Sequence, residues 1–146
     1  MSGSEQPQAA GAHARITTRA DLQKYLDHFN GKRYEEQIAY YAPDVVYKVG
    51  SLTLTSPRQI ADFYADFHQY VQEHVEIVQI AIDGDSVAVA LHAIFEPFRD
   101  YVQNGLTFKV GTTLDIVSFV FYRLQSGRIH RIRMTRYPGP VTDFAS

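Results

Sequence analysis

The feature that most constrains the fold is a pair of β-rich runs near the C-terminus, residues 112–137. They read TTLDIVSFVFYRLQSGRIHRIRMTRY and are joined by a short turn at residues 125–128. The first run is apolar on both faces, whereas the second mixes Ile and Met with Arg and His. A strand that is apolar on both sides must be covered on both sides. One face therefore packs on helices or lines a pocket, and the other needs a further cover, such as a second subunit.

Length and composition describe one ordinary globular domain. The chain has 146 residues, 45% of them hydrophobic and 21% charged, with a formal net charge of −2. That charge gives no general attraction to nucleic acid or to membranes. The absence of cysteine excludes disulfides, thiol nucleophiles and cysteine-ligated zinc. No long apolar stretch suggests a membrane partner, and the N-terminus lacks the apolar region of a secretory signal, so we expect a cytoplasmic protein.

The chain is predicted to divide into a lead-in, one domain and a tail. Residues 1–16 are small and polar, which is typical of a disordered segment. Residues 17–138 carry the helix and strand patterns of a single domain. Residues 139–146 follow a proline stop and are expected to fray.

Helix signals dominate the first half of the chain. Thr17 or Thr18 is a suitable N-cap for a first helix, whose apolar stripe repeats at helical spacing over residues 22–29. A short second helix is predicted over residues 34–41. A serine–proline cap then predicts a long third helix over residues 57–73.

Strand signals dominate the second half. An early strand pair, DVVYKV and LTL, precedes four long antiparallel strands, and residues 99–111 are predicted to form a loop. Helices that are segregated from a run of strands indicate an α+β fold. A strongly curved sheet wrapped around the three N-terminal helices would leave a cone with one open mouth. Such a mouth is a natural site for a small hydrophobic molecule.

Two tyrosines are predicted to point into that cone. Tyr25 lies on the apolar stripe of the first helix, and Tyr47 is in phase with Val45 and Val49 on its strand. Each phenol is either a core residue with a local partner or a hydrogen-bond donor to a ligand oxygen. Both are therefore candidate catalytic residues.

Two histidines are candidate bases. His74 begins a long strand, and His92 is embedded in the apolar run VALHAIF. A buried neutral imidazole can act as a general base, and burial lowers its pKa. Alternation leaves the phase of His92 open, although Ala88 and Ala90 on its own face would suit a cavity wall. The alternative is that each histidine is structural.

Four further residues are candidate substrate contacts. Ser118 and Tyr122 share one face of the closing hairpin, and Phe63 and Phe67 lie on the apolar side of the third helix. No GxSxG nucleophile motif is present, so Ser118 is predicted to orient a ligand rather than to attack it.

Metal, cofactor and nucleic-acid sites are not predicted. The sequence contains no HExxH motif, no Cys/His cluster and no glycine-rich phosphate loop. The last strand is basic and would suit a nucleic-acid backbone, through Arg128, Arg131, Arg133 and Arg136. A solvated strand face with ion pairs explains these arginines better, given the net charge.

Two segments carry a resemblance to a known superfamily. LQKYLDHFNGKRYEEQIAYYAPDVVY is similar to the first two helices and first strand of ketosteroid isomerases, and SGRIHRIR fits the usual last turn and strand of the nuclear transport factor 2-like superfamily. That superfamily also includes scytalone dehydratases and SnoaL-like polyketide cyclases. The resemblance covers about residues 17–137. It implies a cone-shaped, mixed-sheet α+β fold, a cystatin-like α+β barrel, and only weakly an activity.

By position, the resemblance supplies some catalytic groups and removes others. Tyr25 stands where the isomerases keep an oxyanion-hole tyrosine. Val49 replaces their aspartate base, and Val120 replaces a second aspartate that the SnoaL-like cyclases share; a valine cannot transfer a proton. Compared with the scytalone dehydratases, His74 is similar to a catalytic histidine and Ser118 replaces an active-site asparagine.

These observations lead to two functional hypotheses and one expected partner. The first is a cofactor-independent SnoaL-like enzyme, an isomerase, cyclase or dehydratase that moves protons on a hydrophobic, oxygenated, polyketide- or steroid-like substrate. The second is a non-catalytic ligand-binding or assembly module of the same fold. The outer sheet face of Val117, Phe119 and Phe121 is too apolar to leave in water, which predicts a homodimer formed sheet to sheet.

Overall fold

A computed structural model describes residues 14–145 as three helices and eight strands. The helices are α1 (Arg19–Asn30), α2 (Tyr34–Ile38) and α3 (Pro57–Phe67), and a 3₁₀ turn, Val141–Phe144, lies near the C-terminus. The strands are β1 (Tyr41–Val49), β2 (Leu52–Leu54), β3 (Val71–Asp83), β4 (Ser86–Pro97), β5 (Tyr101–Gln103), β6 (Leu106–Phe108), β7 (Leu114–Gln125) and β8 (Arg128–Arg136). None of the helices within residues 14–145 is long and apolar enough to cross a membrane.

One six-stranded mixed sheet carries most of the fold. Its order is β2-β1-β8-β7-β4-β3, and all neighbours are antiparallel except the parallel pair β1 and β8. Register shifts interrupt the ladder in β1, in β3 and between β7 and β8. Such irregularities bend strands and increase their twist. The curved sheet packs around the helices, which confirms the predicted α+β class.

Local capping positions the two longer helices as the sequence predicts. The Thr18 side chain accepts a hydrogen bond from the backbone of Asp21, whose carboxylate accepts in return from the backbone of Thr18. The Ser56 hydroxyl caps α3 by accepting a hydrogen bond from the backbone of Gln59. At the other end of α1, the Asn30 amide donates to the carbonyl of Val75 and accepts from its N–H, at 2.9 and 2.8 Å. Helix α1 is therefore fixed against the start of β3.

Three predicted boundaries differ from the observed ones because strand pairing prevails over local helix signals. Helix α3 ends at Phe67 rather than near residue 73, since Val71 already pairs with Pro97 in the β3–β4 ladder. Helix α2 ends at Ile38, before β1 begins. The predicted loop over residues 99–111 contains the hairpin of β5 and β6, whose turn has positive φ at Asn104 and Gly105.

The ends of the domain also extend beyond the predicted limits. Residues 1–13 of the predicted lead-in lie outside the described residues, but Ala14 and Ile16 are buried. The backbone of Ile16 donates to the carbonyl of Gly127 at 2.8 Å. In the predicted tail, the Phe144 ring packs against Tyr137, with their centroids 4.9 Å apart. Both segments are thus attached to the sheet.

The sheet has an inner face toward the helices and an outer face away from them. On β7 the inner residues Ser118 and Tyr122 are buried, whereas Phe119 and Phe121 on the outer face are 41% and 43% exposed. Leu91 pairs in register with Ser118 and belongs to the inner face of β4. The neighbouring His92 therefore lies on the outer face, which settles its phase.

Candidate active site

A cavity of two adjoining lobes lies between the helices and the inner face of the sheet. Each lobe has a volume of about 80 Å³. The tyrosine lobe is defined by Tyr25, Leu26, Phe29, Val120 and Tyr122, and the hairpin lobe by Phe63, Phe67, Phe95, Asn104, Phe108 and Arg136. Their common wall consists of Tyr47, Tyr64, Glu73, Ser118 and Met134. Groups on that wall can act on a ligand in either lobe.

Glu73 is the one carboxylate among residues 14–145 that lines either lobe. Its Oε1 lies 3.0 Å from Nε2 of His68, and Nδ1 of His68 lies 2.7 Å from the hydroxyl of Tyr34. A neutral imidazole satisfies this chain, because Tyr34 donates to Nδ1 and Nε2–H donates to the carboxylate. The side chains of His68 and Glu73 are 2% and 10% exposed. A carboxylate is thus held in a nearly dry wall by one oxygen.

The second carboxylate oxygen of Glu73 has no hydrogen-bond partner among residues 14–145. Glu73 lies between Val71 and Val75 on the inner side of β3, so strand alternation directs its side chain inward. The ring of His68 is confined by aromatic neighbours, stacked with Tyr34 and edge-on to Phe29. Helix end and strand start together therefore fix the pair beside the cavity.

A tyrosine pair lies on the common wall next to Glu73. The hydroxyls of Tyr47 and Tyr64 are 2.5 Å apart. Burial raises the pKa of Tyr64 well above its ordinary value, and the nearby Tyr47 and Glu73 add to the rise. Burial likewise raises the pKa of Tyr47. Both phenols therefore remain protonated at neutral pH. Two hydroxyl hydrogens are present and one of them forms the bond between the rings, so the other remains available.

A second tyrosine pair closes the tyrosine lobe. The hydroxyls of Tyr25 and Tyr41 are 2.6 Å apart, and the side-chain amide of Gln37 donates to the Tyr41 oxygen at 2.7 Å. Burial raises the pKa of Tyr41 to about 12 and that of Tyr25 well above its ordinary value. If Tyr41 donates to Tyr25, the hydrogen of Tyr25 faces the lobe. The same geometry thus makes Tyr25 a donor to a ligand oxygen.

Two further hydroxyls of the inner face have no hydrogen-bond partner within the described residues. Tyr122 lines the tyrosine lobe, and Ser118 lines both lobes. Burial raises the pKa of Tyr122, which keeps its hydroxyl protonated. Polar groups in protein interiors are usually hydrogen-bonded. A ligand oxygen would satisfy both hydroxyls.

Six of the eight predicted site residues line the cavity. Tyr25 and Tyr122 lie in the tyrosine lobe, Phe63 and Phe67 in the hairpin lobe, and Tyr47 and Ser118 on the common wall. The structure brings these side chains together, while their catalytic or binding roles remain predictions.

The two histidines proposed as bases do not line the cavity. The side chain of His74 is 51% exposed, 3.4 Å from Glu76, because it alternates with the inward Glu73 and Val75. His92 contacts Asp115 on the outer face, with 2.7 Å between Nε2 and Oδ1. Strand phase thus places both imidazoles on the side away from the helices.

Sequence reasoning missed His68 and Glu73. The prediction that α3 runs to residue 73 assigned Glu73 to a helix and hid its alternation with Val71 and Val75. The available signal was a carboxylate in phase between two apolar β-branched residues, which is unusual for a buried strand face. Its partner on the preceding helix end has no comparable signal.

Two valines lie in the cavity wall at positions where the sequence resemblance implied acids. Val120 lines the tyrosine lobe and Val49 lines the hairpin lobe, so neither contributes a proton-transfer group. Glu73 enters the same cavity from β3. The cavity therefore keeps a carboxylate, but from a different strand.

A family model described as a SnoaL-like domain matches residues 22–132. The chain belongs to the SnoaL-like family. Comparison with curated proteins gave no match. The matched segment runs from α1 into β8 and includes His68, Glu73 and the inner face of β7.

Solved structures with the same fold include proteins with different names. A hypothetical protein from Catenulispora acidiphila with a ketosteroid isomerase-like fold, solved with trimethylamine, is 16% identical over 88% of this chain and 94% of that one, with a TM-score of 0.69. A proposed polyketide cyclase from Xanthomonas campestris is 19% identical over 77% and 84%, with a TM-score of 0.66. An epoxide hydrolase resembling the LEH type from M. tuberculosis is 17% identical over 80% and 79%, with a TM-score of 0.64. These likenesses establish the fold.

Proposed function

We propose that this protein is an acid–base enzyme that moves a proton on a small hydrophobic, oxygenated molecule bound in the two-lobed cavity. The observation that carries the proposal is Glu73, a carboxylate that His68 holds by one oxygen and that lines both lobes of the cavity. Carboxylates in apolar surroundings are effective general bases when they are positioned within reach of an acidic C–H. The SnoaL-like family and the polyketide cyclase and epoxide hydrolase names among the solved neighbours are consistent with an enzyme.

The proposed step begins with the removal of a proton from the carbon beside a carbonyl. Glu73 takes the proton, the C–H electron pair forms a C=C bond, and the carbonyl π electrons move to the oxygen. The hydroxyls of the Tyr47–Tyr64 pair, Tyr25 and Ser118 lie on the surrounding walls and can donate to that oxyanion. Donors that are already oriented stabilise the developing charge without reorganisation. Return of the proton to a different carbon completes an isomerisation. In a dehydration the enolate re-forms the carbonyl, its C=C electrons form a new double bond to the neighbouring carbon, and the hydroxide that leaves takes the proton from Glu73 and departs as water.

His68 and Tyr34 are positioning residues in this proposal. His68 fixes one carboxylate oxygen, and Tyr34 fixes the tautomer of His68. Glu73 is therefore the one member of this chain that exchanges a proton with the substrate. It also keeps a charged carboxylate in a nearly dry wall, which an unpaired group could not do without a large free-energy cost.

The size of the cavity limits what can react in this conformation. The two lobes together are comparable with an interior cavity that accepts a single aromatic ring, which has a volume of roughly 150 Å³. A single-ring ketone fits that description. A larger polyketide- or steroid-like substrate would react at one ring. The remainder of the molecule would displace the hairpin of β5 and β6.

The test is hydrogen–deuterium exchange on an enolisable single-ring ketone. Acetophenone is incubated in D₂O with the protein, and loss of its methyl proton signal is followed by NMR. We expect exchange above the buffer rate, reduced by about 100-fold or more in Glu73→Gln, because a general base contributes roughly 10²–10⁴ in rate. Exchange that is equal in the two proteins would overturn the role of Glu73.

The second candidate function is a non-catalytic ligand-binding module. The observation that favours it is the pair of valines, Val49 and Val120, in the cavity wall where fold relatives were expected to keep acids. In this case acetophenone would bind, as judged by shifts of tyrosine resonances, but its methyl protons would not exchange. The same experiment therefore separates the two functions.

We also propose that two copies associate through the outer faces of their sheets. A groove of about 620 Å³ crosses this face and is lined by apolar side chains that include Phe119, Phe121 and Phe144. Val117, which the sequence assigned to this surface, is buried within the chain, so the exposed aromatic area belongs to Phe119 and Phe121. Exposed patches of this kind usually mark an interface.

The charges along β7 favour a second copy as the occupant. Asp115 lies at one end of its outer face and Arg123 at the other, with the two phenylalanines between them. Arg123 lies opposite Arg131 in register and forms no ion pair within the described residues. A two-fold axis across the middle of β7 would bring the acidic end of one copy to the basic end of the other.

Light scattering coupled to size-exclusion chromatography tests this association. We expect the mass of a dimer at micromolar concentration and of a monomer for Phe121→Asp. Val110→Asp, at another exposed apolar position, is the matched control and should remain a dimer. A monomeric wild-type protein would contradict the proposal.

A further inference from the structure

Arg136 lies on the inner face at the end of β8, where the cavity approaches the hairpin of β5 and β6. It follows Met134 in the inward alternation of β8 and pairs in register with Ser118 on β7. Its Nη2 donates a hydrogen bond to the backbone carbonyl of Asn104 in the hairpin turn. The half-buried guanidinium thus forms part of the wall of the hairpin lobe.

Arg136 carries a positive charge that no carboxylate of the described residues pairs with. Within residues 14–145 it forms no ion pair, and it is the only basic side chain that lines either lobe. The opposite walls of this lobe are apolar, with Phe95 and Phe108. A guanidinium has five N–H donors in a fixed plane, and the Asn104 carbonyl accounts for one of them. A cation in such partly dry surroundings is stabilised by an anionic ligand.

Neutral polar side chains line the same lobe. The hydroxyl of Ser118, which has no partner within the described residues, lies on the neighbouring strand directly opposite Arg136. The side chains of Gln103 and Asn104 line the lobe from the hairpin. Glu73 lies on the common wall as the single carboxylate that residues 14–145 contribute to the cavity. A negatively charged group would be attracted to Arg136 and repelled by Glu73. The charges of the lobe therefore favour one orientation of the ligand, with its negative end at Arg136.

We propose that the substrate carries a carboxylate, which Arg136 binds in the hairpin lobe while the apolar part of the molecule extends past Glu73 into the tyrosine lobe. Planar, bidentate recognition of a carboxylate is the interaction for which a guanidinium is best suited. The inference rests on the proposed function for the identity of the reactive end, and it adds the substrate class. A single-ring aromatic acid with an enolisable carbon between ring and carboxylate matches the lobes in size and polarity.

The test compares a matched pair of ligands, phenylacetate and its neutral isostere phenylacetamide, by calorimetric or NMR titration. We expect wild-type protein to bind phenylacetate about tenfold or more tightly than phenylacetamide, because a hydrogen-bonded charge is worth about a factor of ten or more. Arg136→Gln should abolish this preference. Arg136→Lys should retain part of the preference. Arg133→Gln, which removes an equal charge from the outer face of the same strand, should retain all of it.

Three outcomes would overturn the proposal. They are an absence of saturable phenylacetate binding to the wild-type protein, equal wild-type affinity for the two ligands, and a preference that survives in Arg136→Gln. The first two need no variant and do not depend on its folding. Glu73→Gln separates this inference from the proposed function, since it should abolish ketone exchange yet retain or strengthen phenylacetate binding. Loss of either result alone therefore identifies which of the two proposals fails.

Discussion

Two histidine–carboxylate pairs lie on opposite faces of the same sheet. His68 and Glu73 are 3.0 Å apart beside the cavity, and His92 and Asp115 are 2.7 Å apart on the outer face. In the inner pair both side chains are nearly dry, whereas 43% of the Asp115 side chain is exposed in the outer pair. The residue types and distances are similar, so neither identifies a site. The pairs differ in that Glu73 lines the cavity and Asp115 does not.

The surroundings of the two imidazoles extend this difference. The second ring nitrogen of His68 is engaged by the hydroxyl of Tyr34. His92 lies across the strands from Glu76 and Val117, and the only hydrogen bond of its side chain within the described residues is to Asp115. The inner pair is thus a fixed chain of three groups, and the outer pair is an exposed contact of the kind that contributes little to stability.

The largest expected difference between the pairs is in proton transfer. Glu73→Gln and Asp115→Asn remove the same charge from similar partners. We expect ketone exchange to fall by about 100-fold or more in the first variant, since a general base contributes roughly 10²–10⁴ in rate. Exchange should change by less than about twofold in the second, because its carboxylate does not line the cavity. NMR of acetophenone in D₂O measures both rates.

The conclusion from this comparison depends on intact structure. Far-ultraviolet circular dichroism and the midpoint of urea unfolding of each variant provide the control. An Asp115→Asn protein that loses exchange while remaining folded would contradict the assignment of catalysis to the inner face.

The inner and outer faces also differ in their tyrosines, which predicts a response to alkaline pH. Burial raises the pKa of Tyr41 to about 12, above its ordinary value of 10.0. Because the folded pKa is the higher one, the corresponding stability is fully present below pH 10 and is lost as the pH rises to about 12. Between pH 10 and about 12 the free energy of unfolding should therefore fall less in Tyr41→Phe than in the wild-type protein. We expect the difference to be about 2–3 kcal/mol, the equivalent of a shift of roughly two pKa units.

Urea unfolding at a series of pH values, together with the phenolate absorbance, measures this effect. Tyr137→Phe is the outer-face comparison, since a hydrogen bond to Asp143 rather than burial is the main cause that raises the pKa of that phenol. Phenolate absorbance from the tyrosine pairs that appeared well before unfolding would contradict the prediction.

The two histidines should also differ in their contribution to stability. His68→Leu leaves a buried carboxylate without its partner, which should lower the free energy of unfolding by about 2 kcal/mol. His92→Leu breaks a partly exposed pair and should cost about 0.5 kcal/mol. The double variant His68→Leu/Glu73→Leu should recover much of the loss, because no charge is then left in the dry wall. Urea unfolding of the single and double variants completes the cycle.

This comparison also separates what the sequence could predict from what it could not. Alternation and capping predicted the α+β fold, the start of α3 at its serine cap and the inward direction of Tyr25 and Tyr47, because these depend on neighbouring residues. The order of helices and strands also suggested the cone, and the resemblance implied the same shape. The end of α3 was wrong because pairing of Val71 with Pro97, which are distant in sequence, prevails over local helix preference.

That error determined which residues were overlooked. Once α3 was extended to residue 73, Glu73 had no inward phase and His68 had no carboxylate partner. The phase of His92 could not be read because both faces of its strand are apolar, and only the pairing of its neighbour Leu91 with the inward Ser118 places His92 outside. Contacts between elements, rather than residue types, therefore decide which histidine–carboxylate pair is a candidate site.

The smallest expected effect concerns the third member of the inner chain. Tyr34→Phe keeps the ring that stacks on His68 but removes the hydroxyl that bonds to Nδ1. We expect a loss of about 1 kcal/mol in the free energy of unfolding, the usual worth of one hydrogen bond. Ketone exchange should fall only severalfold, since Glu73 keeps its contact with His68. Tyr70→Phe, a ring stacked on Tyr101 away from this chain, is the control. If Tyr34→Phe abolished exchange as completely as Glu73→Gln, Tyr34 would have to take part in proton transfer, and the chain would act as a relay rather than as a support for one carboxylate.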